Sequence, residues 1–203
     1  MQNIKYTVLF VPGSGEDINS RDYRSVLNTI ESKSYNVEFV PITWSRTTPQ
    51  KWQNQLMQVY ARHDPNMTIL AGFSFGAITA CMAAAKHCPA QLWLFSLSPY
   101  FAENYSSPYM KKSWIRYHGL RRTNEFRKLS FRGLAADIDC PTLLFYGEKE
   151  FQKFPIMRVQ AELAHETLAQ NKLIVIPGVG HDVADRLYVK AICENLTTKQ
   201  CHE

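Results

Sequence analysis

The segment from Thr68 to Ala80 limits the possible folds more than any other. Thr68-Ile69-Leu70-Ala71 reads as a buried strand, Gly72-Phe73-Ser74-Phe75-Gly76 as a sharp turn, and Ala77-Ile78-Thr79-Ala80 as the first turn of a small-residue helix. A strand that passes straight into a helix brings two backbones together, and glycines two before and two after the central serine leave room for that approach. Such a junction belongs to a parallel sheet, because parallel strands need crossovers and crossovers bring helices onto the sheet faces.

The rest of the chain repeats the pattern. Strands are expected at Lys5 to Val11, Val37 to Ile42, Leu92 to Leu97, Thr142 to Tyr146 and Leu173 to Ile176, besides Thr68 to Ala71. Helical periods fall between them: Asn19 to Ser32, with Tyr23, Val26, Leu27 and Ile30 on one face, and Pro49 to Arg62, with Trp52, Leu56, Val59 and Tyr60 inward. Further helices are expected at Ala77 to His87, Pro155 to Gln170 and Val183 to Leu196. This is an α/β chain with a mostly parallel sheet of six strands, helices on both faces and no internal repeat.

One stretch breaks the rhythm. Between Ser98 and Pro141 the connection is far longer than a crossover needs, so residues 99–139 are read as an insertion in a core made of residues 1–98 and 140–203. Residues 100 to 131 hold eight aromatics, where an even spread of the composition gives about four. Residues 111 to 132 hold eight Lys or Arg against the single acid Glu125, a net +7 in a chain whose total is +5. Two readings stay open. The aromatics line an apolar pocket and the cations attract anionic substrates, or the aromatics pack the insertion onto the sheet and the cations solvate its outer face.

At 45% apolar and 20% charged residues the chain lies outside the range of intrinsic disorder. Its five cysteines, at 81, 88, 140, 193 and 201, show neither paired nor zinc-like spacing. No run is long enough for a signal peptide or a membrane span. A reducing, cytoplasmic setting is expected, in which the Asn-x-Ser/Thr tripeptides at Asn66, Asn104 and Asn195 are accidental.

The turn at Ser74 lifts a hydroxyl above the sheet beside a helix N-terminus, a place that favours developing negative charge. A serine hydroxyl becomes a nucleophile when a base takes its proton and an acid fixes the base's tautomer. Among six histidines, His63 and His87 lie at helix ends, His165 in a polar helix, His118 in the insertion and His202 in the C-terminal tail, and these are read as structural or solvated. His181 instead follows a strand through Pro177-Gly178-Val179-Gly180, at the sheet edge where ligands collect in α/β folds. For the acid, Thr142 to Tyr146 runs into Gly147-Glu148-Lys149-Glu150, which puts both glutamates on that edge. Asp137 and Asp139 precede the strand and belong at its other end.

With serine, acid and histidine in this order, each after a strand, the chain resembles the α/β-hydrolase family over nearly its whole length. The resemblance implies a serine hydrolase that cleaves carboxylic esters or thioesters through an acyl-enzyme intermediate, with no metal or organic cofactor. The family's Gly-x-x-Asp acid turn maps onto Gly147 and Glu150, with Glu148 as the rival. Its oxyanion hole maps onto the backbone N–H groups of Phe75 and Ser14, proline replacing the histidine that often precedes the glycine of that loop. The chain starts at the family's third strand and places its insertion where the family carries a cap. With no aspartate in the nucleophile position, dehalogenation and epoxide hydrolysis by the family's usual route are not expected.

The partner implied is a small-molecule ester or thioester, anionic if the insertion reads charge, with neither nucleic acid nor stable membrane insertion. The alternative from another class is a non-catalytic binding module that uses the pocket or the basic insertion. Reaction with a fluorophosphonate, which needs an activated serine, separates the two.

Overall fold

The computed structural model describes residues 5–196, apart from the side chains of residues 114, 115 and 117. His202 and Cys201 lie outside the described residues. In chain order the elements begin β1 (Thr7–Val11), α1 (Tyr23–Ser32), β2 (Asn36–Phe39), α2 (Pro49–Tyr60), β3 (Thr68–Phe73), α3 (Phe75–Lys86) and β4 (Gln91–Phe95). They continue with α4 (Ala102–Tyr105), α5 (Lys112–Phe126), α6 (Phe131–Ala136), β5 (Thr142–Gly147), α7 (Glu148–Lys153), α8 (Pro155–Thr167), β6 (Asn171–Ile176) and α9 (Arg186–Asn195).

The six strands form one sheet in the order β2-β1-β3-β4-β5-β6, and every neighbouring pair is parallel. Alternation along each strand divides the core. Val8, Phe10, Phe73 and Phe95 meet Tyr23, Val26 and Ile30 of α1 and Tyr188 and Ile192 of α9 on one face. Leu9, Val11, Leu70, Leu94 and Leu144 meet α2, α3, α6 and α8 on the other. β3 is buried at all six positions, and α3 is buried from Phe75 to Ala84. Alanine-rich α3 therefore sits deep against the sheet, where a bulkier helix would not fit.

Element ends differ from the sequence reading for local reasons. β2 stops at Phe39, short of the expected Ile42, because Pro41 has no N–H to donate. α1 begins at Tyr23, later than the expected Asn19, because Asp17 and Ser20 close a turn and Asp22 caps the helix by accepting from the Ser25 N–H. In α2 the fully inward positions are Trp52, Leu56 and Tyr60, joined by Gln53, whose amide donates to the Met82 carbonyl at 2.5 Å. The stretch Gly147 to Glu150, mapped onto the family's acid turn, runs directly into the short helix α7, whose third residue is Glu150.

Residues 99–139 are clamped to the rest of the chain. Phe101, Phe126 and Phe131 are completely buried in the α2/α3/α8 core, and Phe126 lies 5.7 Å from Phe75. Glu103 accepts from the Phe131 and Arg132 N–H groups, both at 3.0 Å, and from the Ser130 hydroxyl, which joins α4 to the start of α6. Arg122 donates to the carbonyls of Thr47 (2.8 Å) and Trp44 and stacks over Trp52. That guanidinium is a structural pin, which removes it from the cations free to steer an anion. α5 is kinked at Gly119 (φ 72°, ψ 160°).

Candidate active site

The strand order reverses direction at β1: the chain steps outward to β2 and then crosses back to β3. Loops after β1 and β3 therefore part at the carboxyl edge and leave a crevice between them. Ser74 stands in that crevice with φ 57° and ψ −114°, a conformation costly for a residue with a side chain, by about 1 to 3 kcal/mol. The surroundings hold it there. Its N–H donates to the Phe95 carbonyl at 2.9 Å. A Cβ on Gly72 would strike the Gly76 carbonyl, and one on Gly76 the carbonyls of Val11 and Pro12. The N–H groups of Phe75 and Gly76, at the start of α3, have no carbonyl within the helix to meet.

The Ser74 hydroxyl lies 3.1 Å from His181 Nε2, and His181 Nδ1 lies 2.8 Å from Glu150 Oε2. A carboxylate only accepts, so Nδ1 carries the proton and Nε2 is left to accept from Ser74. Glu150 is 1% exposed, and its other oxygen accepts from the Ser96 hydroxyl at 2.6 Å and the Gly147 N–H at 2.8 Å. Both carboxylate oxygens are thus fixed. Glu148 points elsewhere, accepting from the Gly178 N–H at 2.9 Å at the exposed surface. Residues two apart on a helix face different ways, so α7 sends Glu150 inward to the histidine and Glu148 outward to the turn that carries it.

The loop before His181 is held against the end of β5. The Lys149 N–H donates to the Val179 carbonyl at 2.8 Å, and a Cβ on Gly147 would come within 2.5 Å of that carbonyl and 2.6 Å of Gly180's. Only glycine at 147 allows this approach. The imidazole lies against Phe73, ring centres 4.8 Å apart, and Arg21 stacks over the same phenyl at 5.0 Å. Arg21 also bridges Glu16 (2.6 Å) and Asp182 (2.9 Å), which ties the loop after β1 to the loop after β6.

Above Ser74 opens a cleft of about 340 Å³ walled by Phe73, Phe75, Tyr100, His118, Phe154 and Met157, with Ser14 and the Glu16–Arg21 pair also among its lining residues. The Gly13 N–H is spent on the Tyr23 hydroxyl at 3.0 Å, while the Ser14 N–H has no acceptor among the described residues. Of the Lys and Arg between 111 and 132, none is among the residues lining the cleft. His63 pairs with Glu38 and His165 with Asn171, and Asp137 and Asp139 precede β5 at the opposite edge.

Sequence reasoning missed three residues here. His118, read as structural or solvated, is 8% exposed in the cleft wall between Tyr100 and Phe75, where burial and then the Arg122 charge push its pKa down to about 4. Ser96, with φ 49°, holds Glu150, and Ser98 lies 3.1 Å from the Ser74 hydroxyl. The only signal for these serines was their place just after β4, on the edge that carries the other residues. Among the described residues, no three His, Cys, Asp or Glu side chains gather as metal ligands, and no helix is long and apolar enough to cross a membrane.

No protein-family profile and no curated protein sequence matches the chain. Solved structures do. Est1E from Butyrivibrio proteoclasticus aligns with a TM-score of 0.74 over 95% of this chain and 85% of its own, at 17% identity. The chain has the α/β-hydrolase fold. Carboxyl esterase 2 from the fungus Tuber melanosporum shares the fold with a TM-score of 0.70 over 95% of this chain and 77% of its own, at 15% identity. The mouse alpha/beta hydrolase domain-containing protein 10 shares it with a TM-score of 0.66 over 95% and 88%, at 14% identity. In this α/β-hydrolase fold Ser74, Glu150 and His181 follow β3, β5 and β6 in turn.

Proposed function

We propose that this chain is a serine hydrolase acting on small carboxylic esters or thioesters, with Ser74 as nucleophile, His181 as general base and acid, and Glu150 as the group that orients His181. The observation that carries the reading is the continuous hydrogen-bonded line from Ser74 through His181 to a buried, doubly anchored Glu150, opening into an aromatic cleft. In the first half-reaction the Ser74 hydroxyl attacks the substrate carbonyl while its proton passes to His181 Nε2. The N–H groups of Phe75 and Ser14 receive the oxyanion, aided by the N-terminus of α3. The tetrahedral intermediate collapses, the bond to the leaving oxygen or sulfur breaks, and that atom takes the proton from His181. Water then repeats the sequence on the acyl-enzyme, and Ser74 leaves reprotonated.

Residues 99–139 act as the cap, with Tyr100 and His118 as its contribution to the cleft wall. The cleft lies near the small end of ligand pockets, which run from about 300 to 1,000 Å³, and its aromatic lining favours a short or singly aromatic acyl group. One similar structure is of Est1E with ferulic acid bound, which supports that choice. The test is a panel of p-nitrophenyl esters from acetate to palmitate together with methyl cinnamate. Activity on the short and aromatic members that disappears in Ser74→Ala supports the reading, and an inert wild-type protein contradicts it.

A further inference from the structure

We infer that Ser98 is a further catalytic residue, whose hydroxyl donates a hydrogen bond to Ser74 Oγ and stabilises that oxygen whenever it carries negative charge. This inference rests on the serine-hydrolase reading above. The proton inventory gives the direction of the bond. Glu150 accepts from His181 Nδ1, so Nε2 is the acceptor for the only proton Ser74 owns. Ser98 Oγ, 3.1 Å from Ser74 Oγ and 4% exposed, therefore meets an oxygen with nothing left to donate, and must itself be the donor.

The position suits both halves of the reaction. As the bond from Ser74 Oγ to the acyl carbon forms and the Ser74 proton moves to His181, Oγ passes through an alkoxide-like state in which a fixed donor counts most. In the acyl-enzyme the same atom is an ester oxygen and a weak acceptor. When water has added and the Oγ–carbon bond breaks, the electron pair returns to Oγ before His181 restores its proton, and the Ser98 donor strengthens again. An interaction that is stronger in the transition states than in the states on either side accelerates both steps and leaves substrate binding nearly untouched. The hydroxyl also occupies one lone pair of Ser74, which turns the other toward the cleft.

The test compares wild type, Ser98→Ala and Ser98→Thr for p-nitrophenyl butyrate kinetics, the rate of labelling by a fluorophosphonate, and thermal unfolding. The alanine variant is expected to lose roughly 10- to 100-fold in kcat and in labelling rate, the scale of a hydrogen bond to a charge-bearing atom, with KM nearly unchanged. Threonine, which keeps the donor, is expected to recover most of the loss. An alanine variant within about twofold of wild type in kcat and labelling overturns the inference while leaving the hydrolase reading intact. So does a folded threonine variant as slow as the alanine one, because the hydroxyl is then not what matters. A wild-type protein that neither hydrolyses the ester nor takes the label overturns the hydrolase reading and this inference with it.

Discussion

At the scale of single residues, the site works by leaving few choices open. Ser74 is held in a strained turn by the close approach of Gly72 and Gly76 to the neighbouring backbone, so the turn does not depend on the Ser74 hydroxyl. Ser74→Ala is therefore expected to keep the wild-type unfolding temperature while ester hydrolysis falls by several orders of magnitude, as for triad serines generally. Residual hydrolysis within about tenfold of wild type would remove Ser74 from the chemistry. Glu150 and Glu148 separate in the same assay. Glu150→Gln takes the charge from beside His181 and costs activity, whereas Glu148→Gln weakens one surface contact to Gly178 and is expected to leave kcat almost unchanged. The reverse ranking would reassign the acid.

At the scale of elements, α7 is what the sequence reading missed and what the site depends on. As the third residue of a short helix, Glu150 reaches back to the Gly147 N–H with one oxygen and across to His181 with the other. Aspartate is one methylene shorter, so the helix accounts for glutamate at this position. Gly147→Ala would press a methyl group against the Val179 and Gly180 carbonyls, and is expected to cost about 1 to 3 kcal/mol of stability and to reduce kcat by displacing His181. Denaturant unfolding alongside ester kinetics measures both. In α5, His118 is kept neutral by burial and by the nearby Arg122, with its pKa lowered from the ordinary 6.5 to about 4. Between those values the unfolded chain binds a proton that the folded one does not, so stability falls as pH drops through that window. His118→Phe is expected to flatten that part of the stability profile, read as thermal midpoints across the same range. An unchanged slope would assign the acid sensitivity to other groups.

At the scale of the whole molecule, the alternation of strands and helices was readable because the four central strands are short buried runs and α1, α2, α8 and α9 carry amphipathic periods. The junction at Gly72 to Gly76 could be placed for the same reason. Ser96 and Ser98 were not readable, because a serine after a strand looks the same whether it faces solvent or Glu150. The insertion's role was not readable either: its aromatic density could pack or line, and both occur, Phe101, Phe126 and Phe131 in the core and Tyr100 and His118 at the cleft. The cations diverge likewise. Arg122 is spent on two carbonyls and Arg121 is exposed, while among the described residues Arg21 is the one Lys or Arg lining the cleft, already paired with Glu16 and Asp182. Hydrolysis of an anionic ester is therefore expected to show little more salt dependence than that of a neutral ester of equal acyl length. A steep fall for the anionic ester alone, as salt shortens the Debye length to about 10 Å near 0.1 M, would give the cations of residues 99–139 a steering role. The central claim, that His181 and Glu150 activate Ser74, is tested most directly by fluorophosphonate labelling of the purified protein followed by peptide mapping. One label on Ser74, lost in Ser74→Ala and strongly slowed in Glu150→Gln, is the expected result. A wild-type protein that stays unlabelled would show that the hydrogen-bonded line does not make a nucleophile, and would turn the cleft into a binding site.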